Sequence, residues 1–174
     1  MGLLTGIQIK EAAAAYCAEA IDDEQALEAI NRAISQLADM ALVYDVLTVA
    51  DVAANTWCDL PETLVNIVHV EDSEGRACTG YWQMGGKIKF ADAGTYNIHY
   101  RRMPKLLTGI LDKPETHPIF DDAIKSYVIA WWKLMDDDEN PDGIRHMQLF
   151  RTQAKEAYTM LRRKRTPSAI RVIR

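Results

Sequence analysis

The spacing of apolar positions changes twice along this chain. Ala26, Leu27, Ile30, Ala33, Ile34, Leu37 and Ala41 recur three or four residues apart, which predicts a helix with one apolar stripe. Asp22 or Asp23 is placed to cap it, because a short side-chain oxygen can accept from the free amides of a first turn. Upstream, Thr5 can cap a first helix that includes the alanine-rich run Ala12–Ala15. The break at Ile21-Asp22-Asp23 is short, so the two helices are expected to form an antiparallel pair.

From Tyr44 the period drops to two. Val46, Thr48 and Ala50 alternate with Leu47, Val49 and Asp51, a strand pattern. Asn55–Leu60 suits a second strand, and Val65–Val70 is rich in β-branched residues up to the turn cluster Asp72-Ser73-Glu74-Gly75. Ala77–Met84 and Lys87–Ala91 flank Gly85-Gly86, a two-residue hairpin signal. After the turn Ala93-Gly94, Tyr96, Ile98 and Tyr100 alternate with Asn97, His99 and Arg101, giving one face for a core and one for water or a neighbour. Strands of this kind predict a small antiparallel sheet.

The helical period then returns. Met103–Pro118 reads as a loop, and Pro118 suits the first turn of a third helix with Asp121 and Asp122 near its positive end. Ile119, Ala123, Tyr127, Ala130, Trp131 and Leu134 form its expected apolar face. The acidic run Asp136–Glu139 ends it, and Asn140-Pro141 reads as the cap and first residue of a fourth helix. Met147, Phe150, Ala154, Ala157, Tyr158 and Leu161 line that helix, which runs into Arg162–Arg165 and stops before Pro167. Ser168–Arg174 alternates in a strand-like way but is too short to stand alone.

The expected fold class is therefore α+β: a four-helix core (two N-terminal and two C-terminal helices) with an inserted small antiparallel β-sheet and an extended C-terminal tail. The helical core spans 5–43 and 117–165 and the β-insert 44–104, together one domain over 1–165; the basic tail is 166–174.

At 174 residues, with 48% hydrophobic and 26% charged side chains, the chain can bury an ordinary core. Its net charge of −5 argues against wholesale nucleic-acid binding. The charge is uneven: residues 157–174 hold Arg162, Arg163, Lys164, Arg165, Arg171 and Arg174 with no acid, which leaves 1–156 at −11. An acidic body with a basic tail implies a separate partner for the tail. Ile170, Val172 and Ile173 fit a docking segment better than a solvated end, and Arg162–Arg165 also suits the negative end of a helix.

Candidate chemistry is sparse. Cys17, Cys58 and Cys78 have no C-x-x-C spacing, so reduced thiols are expected. Asp138-x-Asn140-x-Asp142-Gly143 resembles the first half of a calcium loop, but Leu149 stands where the bidentate Glu belongs. His69, His99, His117 and His146 are scattered, with no pair at metal-ligand spacing. There is no nucleophile elbow or P-loop, and Gly85-Gly86 is a turn. No catalytic residue, metal or cofactor is expected, nor a membrane span or signal peptide. Trp131 belongs to the core stripe; neighbouring helix residues point about 100° apart, so Trp132 is a candidate for a subunit interface, as is Trp82 near the hairpin tip with Gly85 and Gly86.

The order helix–helix, β-insert, helix–helix, basic tail is similar to the head–tail connector (adaptor) proteins of tailed bacteriophages. The likeness rests on "AINRA" at Ala29–Ala33, "LP" at Leu60-Pro61, "GGKIKFADAGTYNIHYRRMP" at Gly85–Pro104 and "HPIFDDAIKSYVIAWWKLM" at His117–Met135. The resemblance implies a non-enzymatic virion protein, made in the host cytoplasm and housed in the neck between capsid and tail. It implies a homo-oligomeric ring, usually of twelve, between the portal protein and a downstream neck or tail protein, with double-stranded DNA passing through without sequence-specific contacts. The C-terminal segment Arg162–Arg174 would reach the portal, and the loops Asp72–Gly75, Gln83–Gly86 and Asp92–Gly94 would face a neighbour. The acidic body suits such a conduit, since like charge keeps DNA from sticking. A stopper or tail-completion protein of the same neck, or a cytoplasmic protein-binding module, remain the alternatives.

Overall fold

The computed structural model describes residues 4–165, with the side chains of Lys164 and Arg165 left out, so the tail 166–174 lies outside the described residues. The chain divides into two compact units: residues 4–41 with 104–165, and Leu42–Met103.

The first unit is helical. α1 (Gly6–Cys17) is opened by Thr5, whose hydroxyl accepts from the Gln8 amide while the Gln8 side chain accepts from the Thr5 amide. α2 (Asp23–Gln36) is capped by Asp22, which accepts from the Glu24 amide at 3.0 Å. α3 (Asp121–Asp136) follows a 3-10 turn at Pro118–Phe120. α4 (Pro141–Arg165) starts from Asn140, whose side-chain oxygen accepts from Asp142 and Gly143 amides at 3.1 Å each. The oxygen that a calcium loop would need is thereby used as a helix cap.

α3 is the pillar of this unit, because α1, α2 and α4 all pack on it. Its buried set, Asp121, Ala123, Ile124, Ser126, Val128, Ile129 and Ala130, is wider than the stripe expected from its spacing. A helix covered on several sides has no single solvent face. Ile9, Ile30, Ile34, Leu37 and Phe120 close the core around it. The AINRA segment earns its place here: Ala29, Ile30 and Ala33 are buried, and Asn31 pins the loop after the β-unit. The Asn31 amide donates to the Leu107 carbonyl at 3.0 Å, and its oxygen accepts from the Leu107 amide at 2.8 Å. Asp112 shapes the same loop by accepting from Thr108 and Gly109; the Thr108 hydroxyl bond leads in holding its carboxyl below the usual range.

The second unit overturns the expectation of a four-helix core with one inserted sheet. The four helices are split by the strand block into an N-terminal and a C-terminal pair, and the block holds two three-stranded antiparallel sheets. The first sheet has the order β1 (Val43–Val52), β6 (Gly94–Arg102), β3 (Leu64–Asp72), and the second β2 (Trp57–Asp59), β5 (Lys87–Phe90), β4 (Tyr81–Met84). They share a core of Val52, Leu60, Val70, Ile88, Phe90, Tyr96 and Ile98, in which the Phe90 and Tyr96 rings stack 3.8 Å apart. β2, β4 and β5 span only three or four residues each, and Ile88 and Phe90 of β5 close this core with Val70, Tyr96 and Ile98 of the longer strands. The segment expected to be one strand from Ala77 keeps only Tyr81–Met84, with a single bridge between Ala77 and Glu71 before it.

Two outcomes test this packing. Asn31→Ala should leave both Leu107 backbone groups unpaired and lower stability by about 1–3 kcal/mol in urea titrations. His146 is buried edge-on to Tyr16, and burial pushes its pKa below the ordinary value. The unfolded chain therefore takes up that proton first on acidification, so stability is lost as pH falls below about 6.5. His146→Phe should flatten that part of the pH profile relative to the wild type.

Candidate functional site

Alternation along β6 sets the geometry of the β-unit. Tyr96, Ile98, Tyr100 and Arg102 point inward and are buried, so Asn97, His99 and Arg101 point outward. Register then decides their neighbours. Across β1 the outward partners are Thr48, Val46 and Tyr44; across β3 they are Glu71, His69 and Asn66.

One row of this face gathers titratable groups. His69 and His99 are direct cross-strand partners, and their rings stack with centroids 3.9 Å apart and planes 12° apart. Glu71 lies beside them, with one carboxylate oxygen 3.1 Å from His99 Nε2 and the other 3.8 Å from His69 Nε2. The His99 imidazole is the main cause holding the Glu71 carboxyl below its usual range, and burial opposes it. Although the His99 contact is short, its alignment falls outside hydrogen-bond geometry, so the solvent-shielded Nε2 has no aligned partner. The three donor atoms lie within 4.8 Å of one another. The spacing argument that set these histidines apart fails because antiparallel pairing joins positions that are remote in sequence. The signal that could have found them is the register itself: laying His69–Asp72 antiparallel to Tyr96–His99, beyond the register shift after Ile67, brings His69 opposite His99.

The second sheet presents an aromatic ladder. Trp57, Lys89 and Trp82 are in register across its three strands, and the Lys89 ammonium lies 5.2 Å from the Trp57 ring centroid and 5.0 Å from that of Trp82. In the next row Asp59 and Lys87 pair at 3.1 Å beside Met84, which is 69% exposed. Gly85 and Gly86 close the β4–β5 hairpin at φ +56° and +75°, the left-handed pair that a two-residue turn demands. Trp82 is half-exposed and joins this surface.

The remaining expected residues lie elsewhere. Trp132 is half-buried against the helical core, and its indole N–H donates to Glu19 at 2.8 Å. That bond, ahead of Lys133, holds the Glu19 carboxyl below the usual range. The polar end of Trp132 is thus used within the chain. Arg162 and Arg163 are exposed on the last turns of α4, with the Arg162 guanidinium 5.8 Å from the Tyr158 ring, and Arg165 is the helix's final residue. Ile170, Arg171, Val172, Ile173 and Arg174 lie outside the described residues. Among the described residues, no helix is long and apolar enough to cross a membrane.

Comparison with known proteins finds no matching family model and no matching curated protein.

The hairpin makes a direct prediction. Gly85→Ala or Gly86→Ala forces a side chain into left-handed backbone and should cost about 1–2 kcal/mol each. Hydrogen exchange should quicken at the β4 and β5 amides and stay unchanged in α3.

Proposed function

We propose that this protein is a head–tail connector subunit of a tailed phage, a structural part that assembles into a ring between portal and neck. The observation that carries this reading is the outward face of the second sheet. Trp57, Trp82 and Met84 leave large apolar surface open next to a tight hairpin, a composition enriched where proteins meet. Further large apolar side chains are exposed on the first sheet at Tyr44, Val46, Val65 and Val68, and on the helical unit at Leu106, Leu111 and Met160. A closed ring needs two different faces on each protomer, because its contacts are head-to-tail. A helical unit and a β-unit with unlike surfaces supply them. The resemblance in element order and in the segments at Ala29–Ala33 and Gly85–Pro104 gives the reading its family, and the acidic body suits a channel for DNA.

The test is assembly. Negative-stain images of the purified protein with its portal should show rings of about twelvefold symmetry, in keeping with closed cyclic assembly. Trp82→Ala should weaken ring formation while leaving the fold intact. Deleting Ser168–Arg174 should also preserve the fold but weaken attachment to the portal. A monomer or dimer that never joins a particle would remove the reading in favour of a protein-binding module.

A further inference from the structure

We propose that His69, Glu71 and His99 form a binding site for a divalent transition-metal ion of the zinc class, held across β3 and β6 on the outward face of the first sheet. Four observations support it. The donor set is two imidazole nitrogens and one carboxylate, a combination that suits zinc and disfavours magnesium and calcium, which want oxygen ligands. The spacing is close to what the ion needs. Zinc bonds of about 2.0–2.2 Å in a tetrahedron set the donors about 3.4 Å apart; here one Glu71 oxygen lies 3.1 Å from His99 Nε2 and the other 3.8 Å from His69 Nε2, and one donor atom from each residue lies within 4.8 Å of the others. The backbone already holds the donors: His69 and His99 are paired in register, so binding needs only side-chain rotation out of the ring stack.

The fourth observation is the state of His99 Nε2. The atom is shielded from water and has no aligned hydrogen-bond partner, yet it sits 3.1 Å from a carboxylate oxygen. In the tautomer protonated at Nδ1, Nε2 offers a lone pair beside the carboxylate oxygen, and both atoms are zinc ligands. A cation between the two would be coordinated by both. His69 and Glu71 are open enough for the ion to enter, and water would complete the shell on the exposed side. The bound ion would tie edge strand β3 to central strand β6 through side chains as well as through the ladder.

The test uses untagged full-length protein stripped with a chelator. Zinc is titrated against a chromophoric chelator, and cobalt(II) replaces it for visible absorption. One zinc per chain should bind, without competition from excess magnesium. His69→Gln and His99→Gln should each weaken binding by about tenfold or more, since losing a ligand should cost at least as much as losing an outer-shell partner. His117→Gln should leave binding unchanged. Zinc should raise the melting temperature of the wild type and not of the two variants. In the wild type, zinc should shift the imidazole nitrogen resonances of His69 and His99 and leave those of His117 in place, a readout that does not depend on any variant folding. No zinc uptake, uptake unaffected by both His variants, unshifted His69 and His99 resonances, or a cobalt–thiolate charge-transfer band pointing to Cys58 or Cys78 would each overturn the proposal.

Discussion

Strand β6 is hydrogen-bonded on both edges, to β1 on one side and β3 on the other, and the β-unit depends on that double pairing. Because side chains alternate along a strand, its register assigns two jobs at once. Tyr96 and Ile98 enter the core that covers Phe90 and Val70, while Asn97 and His99 turn outward beside Glu71 and His69. A slip by one residue would expose the core set and bury the titratable row, so core packing and the outward cluster are locked to the same register. Arg102 shows how strictly the inner face is kept: it is buried at the end of the strand, where its guanidinium meets Asp45 at 2.8 Å.

The helical unit solves a different problem. α3 is covered by three helices, and the loop that leads to it must be fixed in place without strand pairing. Asn31 and Asp112 do this with side-chain hydrogen bonds to backbone groups of the loop. Gly6 adds a steric condition: a β-carbon there would stand 2.6 Å from the Ile110 carbonyl oxygen, so α1 approaches the loop only because that residue has no side chain. Close backbone approach and paired amides thus fix this loop against α1 and α2.

The two outward faces of the β-unit differ in chemistry. One presents Trp57, Lys89, Trp82 and Met84, suited to burial against another protein. The other presents histidines and a carboxylate beside Val46, Thr48 and Asn97, and the donor set suits a cation. Val46 and Tyr44 lie across β1 from His99 and Arg101 on the first sheet, so the histidine cluster shares its face with part of the exposed apolar surface. The two faces share a physical origin, since each depends on side chains lined up across paired strands.

Local signals in the chain foretold most elements and their ends. Thr5, Asp22 and Asn140 cap helices, Gly85-Gly86 turns a hairpin, period-two alternation marks β1 and β6, and a β-branched run marks β3, because each of these depends on residues within a few positions of one another. Trp82 and the hairpin were visible for the same reason. Division of the strands into two sheets, the burial around α3, and the meeting of His69 with His99 were not visible, because they arise from pairing and coverage between distant segments. Spacing along a chain reports one face of one element, whereas only the folded register says which faces meet, and a site made of such meetings exists at the tertiary level alone.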